Sequence, residues 1–147
     1  MITVEVQHHL SRARDFVEGM SRLLKEEMFV LEDDFVRFRY SPALLGIHGA
    51  ISYCDALRIG LGSEKLSSDD HRNATRELKS LLAERKLQGT EGADRLDKLL
   101  GKKSRIAYAR EASDDTGIKQ ITLHAERFAK WAEAAGRALK IEGWGDE

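Results

Sequence analysis

Apolar residues recur along this chain at intervals of three and four, the spacing that places side chains on one face of an α-helix. The first such stripe begins at Val6, continues through Leu10 and Ala13, and reaches Leu24. Its period predicts a long amphipathic helix that ends between residues 29 and 34. The chain therefore opens with an element that has one face for packing and one for water.

A second helix is predicted to begin at Ser41, because serine caps a helix and proline at position 42 fits its first turn. Gly60 or Gly62 is expected to end it. One stripe of this helix is apolar and predicted to be core: Ala43, Ile47, Ala50, Cys54, Leu57 and Leu61. A second stripe mixes apolar and polar residues and could line a polar seam or a dimer surface: Leu44, His48, Ile51, Asp55 and Arg58.

Three further amphipathic segments complete the pattern. The sequence SSDD at 67–70 is a helix start, Thr90 and Glu91 begin a fourth helix that continues to Arg110, and SDDTG at 113–117 precedes a fifth helix. Five such segments joined by short connections predict an all-α, single-domain, up-and-down helical bundle over residues 1–147. The tail, 141–147, is expected to be either frayed or docked through Trp144 on the body or on a second subunit.

The composition is that of a helical protein, and it limits the partners and the cellular location to be expected. Of 147 residues, 41% are hydrophobic and 33% charged, and there is one proline, which is typical of a helical globular chain rather than a disordered one. The net charge of -1 gives no overall field for nucleic acid or membrane. The lone cysteine excludes an intramolecular disulfide, and no signal peptide or membrane span is evident, so a cytoplasmic location is expected.

Lysine and arginine residues are scattered along most of the chain, but on the fourth helix they form a local cluster. Lys103 falls on its predicted inner stripe, Arg110 follows seven residues later, and Arg105 and Tyr108 share another face. These four residues, with Asp55, are the candidate ligand-binding residues. The alternative is that the aliphatic parts of the lysine and arginine side chains pack on the core, while their charged groups reach water or a carboxylate such as Asp55.

Catalytic motifs are absent from the sequence. It has no Gly-rich phosphate loop, HExxH, CxxC or GxSxG, so no cofactor and no metal are predicted. His48 and Asp55 are seven residues apart, too far for a direct hydrogen bond. His71, in the first turn of the third helix, has no partner fixed by sequence, and Cys54 falls on a core face rather than in an exposed, electropositive place.

The order of these features resembles the HEPN superfamily, small helical domains of prokaryotic toxin-antitoxin and defence systems. The resemblance covers roughly Ser41 to Ala134 and rests on three stretches in sequence: YSPALLGIHGAISYCDALRIG, a DDH helix start, and LLGKKSRIAYAREAS leading into ITLHAERFAKWAE. It implies a homodimer in which the helix with the basic motif lines a shared cleft. Active members carry an arginine followed, after four to six residues, by a histidine, and act as metal-independent ribonucleases.

This chain departs from that motif. Arg105 best corresponds to the family's arginine, but the residue five positions later is Arg110 and not histidine. The resemblance therefore implies a non-catalytic member that binds RNA, a nucleotide or a protein partner such as a toxin-antitoxin component. Two alternatives stay open: a divergent ribonuclease that uses Arg105 with His48 or His71, and a structural interaction module without a small ligand.

Overall fold

Five α-helices form the part of the chain that the structure, a computed structural model, describes. They are α1 (Ile2–Val30), α2 (Ser41–Gly60), α3 (His71–Glu84), α4 (Glu91–Tyr108) and α5 (Asp115–Ala138). The described residues are 2–30, 41–63, 71–85, 91–108 and 115–145, with side chains described for 2–25, 41–63, 73–85, 92–100 and 119–145. No strand occurs among them, and the prediction of an all-α bundle of about five helices is confirmed.

Helix α2 lies at the centre and contacts each of the other four helices. Its predicted core stripe is buried at every position: Ala43, Ile47, Ala50, Cys54, Leu57 and Leu61. The helix ends where glycine was expected to end it. Gly62 has a φ of 109°, its amide donates to the Ile59 carbonyl, and the Ser63 amide donates to the Arg58 carbonyl. These bonds satisfy carbonyls that the last turn would otherwise leave unpaired.

Helices α1 and α2 pack antiparallel and very closely. A methyl group at Gly49 would come within 2.7 Å of a Val17 methyl carbon, and one at Gly46 would come within 2.8 Å of the Met20 sulfur. Larger side chains would therefore push the two helices apart. The glycines of α2 allow the long apolar stripe of α1 to settle onto it.

Helices α2 and α5 run in the same direction. Gly46 lies against Ala125, and Gly60, fourteen residues further along α2, lies against Ile141, which follows α5. Five strictly alternating helices would place α2 and α5 in opposite directions. The bundle thus departs from a simple up-and-down order between these two helices, while α1 runs antiparallel to both.

The segment 139–145, which we call the C-terminal strap, folds back onto the bundle. The Leu139 and Ile141 amides donate to carbonyls of the last turn of α5, and Lys140 adopts a left-handed φ of 53°. Trp144 is 1% exposed and lies flat against Gly136 of α5. Of the alternatives open for this tryptophan, docking on its own chain is the one observed.

None of the described helices is long and apolar enough to cross a bilayer. The interior they enclose is lined chiefly by leucine, isoleucine and alanine, with Phe128 and Trp144 as its largest buried side chains.

Candidate functional site

Asp55 belongs to a polar cluster that joins α2 to α3. Its carboxylate accepts a hydrogen bond from an Arg58 terminal nitrogen at 3.3 Å, and the Arg58 Nε donates to Glu77 of α3 at 3.2 Å. The Arg58 side chain is only 4% exposed, whereas those of Asp55 and Glu77 are 24% and 38% exposed. A buried guanidinium is stable only when carboxylates neutralise it, and here two of them do so.

Burial opposes ionisation of Glu77, but hydrogen bonds from Ser63 and Arg58 outweigh it and lower the pKa of this carboxyl below its usual value. The Glu77 carboxyl is therefore ionised at neutral pH. Ser63 follows the end of α2, so the same carboxylate links the helix, its terminating turn and α3.

His9 of α1 lies close enough to this cluster to be influenced by the charge of Asp55. Burial lowers the pKa of its imidazole, and the negative charge of Asp55 partly counteracts that effect. His8 contacts His9 edge to face, with the ring centroids 5.7 Å apart. Nothing in the sequence spacing of His8 and His9 indicated that His9 would lie near Asp55.

His48 lies two helical turns before Asp55 on the mixed stripe of α2. Its ring packs on Phe16 of α1, with centroids 5.8 Å apart and a tilt of 39°. Seven residues of α-helix separate His48 from Asp55 by about 10 Å along the axis. The structure thus brings both residues to the α1–α2 boundary, where they face different parts of α1 rather than each other.

The other three residues of the mixed stripe are buried or half-buried instead of facing solvent. Leu44 and Ile51 are half-buried and pack against the core, and Arg58 is fully buried. Cys54, next to Asp55, is also buried, and its thiol lies 3.9 Å from the Ala74 carbonyl oxygen of α3. Burial raises the pKa of this thiol, so it stays protonated and is a poor nucleophile.

Most of the predicted basic site lies outside the described side chains. Lys103, Arg105 and Tyr108 belong to the C-terminal part of α4, where the helix backbone is described but the side chains are not. Arg110 lies outside the described residues altogether. His71 is the first residue of α3, and its side chain is likewise outside the described part. The grouping of these residues with Asp55 therefore stays a prediction.

A second polar cluster, which the sequence did not indicate, joins α1, α2, α5 and the C-terminal strap. Arg14 donates two hydrogen bonds to the Glu133 carboxylate, at 2.7 and 3.0 Å, and a third to the Trp144 carbonyl at 3.2 Å. The Tyr53 hydroxyl donates to the same carboxylate at 2.8 Å. No spacing rule connects Arg14 with Glu133, which lie 119 residues apart.

The charges of this second cluster compensate one another. Burial opposes ionisation of Glu133, but the hydrogen bonds from Arg14 and Tyr53 outweigh it and lower the pKa of the carboxyl. Burial, with the hydrogen bond to Glu133, raises the pKa of the Tyr53 hydroxyl. With the tyrosine neutral and the carboxylate ionised, this arrangement is suited to holding elements together rather than to moving protons.

Neither cluster has the composition of a metal centre. Across the described ranges, no three histidine, cysteine, aspartate or glutamate side chains lie close enough together to hold an ion. The charged side chains of the two clusters form ion pairs between helices. Comparison of the chain with protein-family models, with curated proteins and with solved structures found no match.

Proposed function

We propose that this chain is a non-catalytic, homodimeric binding domain that takes a phosphate-bearing ligand, RNA or a nucleotide, through the cations of α4. The observation that carries the proposal is the position of those cations. Helix α4 extends to Tyr108, so Lys102, Lys103 and Arg105 follow one another within about one turn of helix. Cations so concentrated in a chain of net charge -1 favour an anionic partner.

Two features of the described residues support binding over catalysis. Cys54 is buried with its thiol kept protonated, and His48 is packed against Phe16. The resemblance to the HEPN superfamily supports the dimer and a partner from a toxin-antitoxin or defence system, since family members place their basic helix in a shared cleft.

The direct test is binding of a fluorescein-labelled, mixed-sequence 20-nucleotide RNA and of a fluorescent ATP analogue, followed by anisotropy at several salt concentrations. We expect the double substitution Arg105→Ala with Arg110→Ala to abolish most of the binding and to make the residual affinity less dependent on salt. The matched control is Arg76→Ala with Lys98→Ala, which removes two exposed cations of α3 and α4. Equal affinity in the two double variants would refute the proposed site.

Enzyme activity is tested in the same samples. We expect the labelled RNA to remain intact, and light scattering to give twice the mass of the chain. Cleavage that disappears in Arg105→Ala and in either His48→Ala or His71→Ala would instead identify a divergent ribonuclease.

A further inference from the structure

The exposed face of α5, with the residues that directly follow the helix, is rich in basic side chains. Between residues 119 and 140 there are five lysines and arginines and two glutamates. One of the two acids, Glu133, is turned inward, with 18% of its side chain exposed, and is engaged by Arg14 and Tyr53. The outer surface is therefore left with five cations and one acid, Glu126.

Four of these cations share one side of the helix. At 100° per residue, Lys119, Arg127, Lys130 and Arg137 fall within about 80° of arc, opposite the buried stripe that includes Ala125. All four are exposed. Lys119 and Arg137 are eighteen positions apart in sequence, which corresponds to about 27 Å along the axis. We call these four residues the α5 basic face.

Internal ion pairs neutralise this face only weakly. Lys130 lies 3.4 Å from Glu126, but the two side chains are 76% and 51% exposed. Arg137 lies 3.6 Å from Glu133, and its side chain is 58% exposed. Exposed pairs of this kind are worth little in water, so both cations can exchange these partners for a stronger anion at small cost.

The residues between the cations limit what the partner can be. Within the same arc lie Leu123 and Ala134, both exposed, and neither has an aromatic ring on which a base could stack. Leu123, 43% exposed, is the one large apolar group among them, too little to anchor a helix in a bilayer. A row of cations along one side of a helix complements a repeating backbone of phosphates.

We infer that the α5 basic face is a contact surface for the sugar–phosphate backbone of a nucleic acid, recognised by charge and without regard to sequence. The inference extends the proposed function, on which it rests in part, from a local cation cluster on α4 to a second and longer surface. A strand long enough to reach both surfaces would gain further phosphate contacts along α5.

The test compares two triple variants for binding to the labelled 20-nucleotide RNA. Lys119→Ala, Arg127→Ala and Lys130→Ala remove three cations of the α5 basic face and spare Arg137, which adjoins the Arg14 cluster. Arg12→Ala, Arg22→Ala and Lys25→Ala remove three exposed cations of α1. Far-ultraviolet circular dichroism confirms that both variants keep the helical fold.

We expect the α5 triple variant to bind RNA about tenfold more weakly at 50 mM salt, with the slope of log affinity against log salt reduced by about 2. The α1 triple variant should keep both values. Unchanged binding by the α5 variant, or an equal loss in the α1 variant, would overturn the inference. So would binding to vesicles rich in phosphatidylserine combined with no binding to RNA.

The two proposals can fail separately. If the α5 variant binds RNA normally while Arg105→Ala with Arg110→Ala does not, the α5 surface is wrong and the α4 site stands. If only the α5 variant loses affinity, the α4 site is wrong. If the ATP analogue binds through α4 and RNA does not bind at all, the domain is a nucleotide binder and the α5 inference falls.

Discussion

At the scale of single residues, two helical glycines determine where the two tryptophans of this protein pack. Trp131 lies on Gly92 of α4, and Trp144 lies on Gly136 of α5. In each case the indole ring occupies the space that a β-carbon would take. A glycine within a helix costs stability relative to alanine, and here that cost is offset by burial of a large aromatic ring.

We expect Gly136→Ala to lower the free energy of unfolding by roughly 1–2 kcal/mol. The added methyl group would overlap the Trp144 ring, at a typical overpacking cost of about 1–3 kcal/mol, and the better helix propensity of alanine returns up to about 1 kcal/mol. Urea unfolding followed by circular dichroism measures the change.

Gly19→Ala is the matched control. A methyl group there would lie 3.4 Å from a Leu45 methyl carbon, in ordinary contact, so alanine should leave stability unchanged or raise it by up to about 1 kcal/mol. If both variants were stabilised alike, the seating of Trp144 on Gly136 would be wrong.

At the scale of elements, α3 is attached to the bundle partly through charge. It buries Ala74, Leu78 and Leu82, and Arg58 of α2 reaches Glu77 across the boundary. A buried guanidinium with two carboxylate partners specifies how one helix lies against the other, because the fork of the arginine has few acceptable orientations.

We expect Arg58→Met to destabilise the protein by about 2 kcal/mol. Methionine fills the space but leaves Asp55 and Glu77 without their cation, and the partial exposure of both carboxylates keeps the loss below the 3–5 kcal/mol typical of a fully buried pair. The denaturant midpoint reports the loss.

The same substitution at an exposed arginine of α3, Arg76→Met, should change stability by less than about 0.5 kcal/mol. An Arg58→Met variant as stable as the native protein would mean that packing alone attaches α3, and that the ion pairs of Arg58 contribute nothing net.

Periodicity predicted the elements well because one helix face must leave water wherever the helices pack. The α2 stripe from Ala43 to Leu61 is buried at every position, and Ser41 and Gly62 mark the start and the terminating turn of α2. Burial of Arg58 was within reach of sequence reasoning, since Asp55 lies one turn before it on the same stripe. The pairing of Arg14 with Glu133 was not, because no local rule relates residues on different helices.

The candidate site was predicted less completely than the fold. Asp55 does belong to a polar cluster, in which its described partner is Arg58 of the same helix, and its grouping with the cations of α4 stays a prediction. Short-range spacing shows which residues share a face. It does not show which neighbouring helix that face will meet, and the proximity of His9 to Asp55 depends on how α1 and α2 align.

At the scale of the whole molecule, the Glu133 carboxylate connects three helices. It accepts hydrogen bonds from Arg14 of α1 and Tyr53 of α2, and Arg14 also holds the carbonyl of Trp144 in the C-terminal strap. Loss of its charge should therefore loosen three helices and the strap together.

We expect Glu133→Gln to cost about 1–2 kcal/mol at pH 7, a value reduced by the partial exposure of Arg14. The folded protein lowers the pKa of Glu133 below its ordinary value of 4.5, so the unfolded chain takes up a proton first as pH falls. The stabilisation is thus present above pH 4.5 and is lost as pH falls through the folded pKa.

Unfolding curves between pH 3 and pH 7 should therefore converge for the native protein and Glu133→Gln as the pH is lowered. Glu126→Gln, also on α5 but paired only across its own surface with Lys130, should track the native protein throughout. A constant difference between native protein and Glu133→Gln at every pH would exclude the charge as the source of the stabilisation.

The C-terminal strap has a consequence for the order in which this protein can assemble as a ribosome makes it. Helices α1 and α2 can pair soon after both have been synthesised. The contacts of Arg14 with Glu133 and of Thr3 with Gly143 can form only after more than a hundred residues beyond Arg14 and Thr3 have been added. During that interval the side of α1 that α5 and the strap will cover stays open to chaperones or to a neighbouring nascent chain. The strap thus covers a helix that was synthesised well before it.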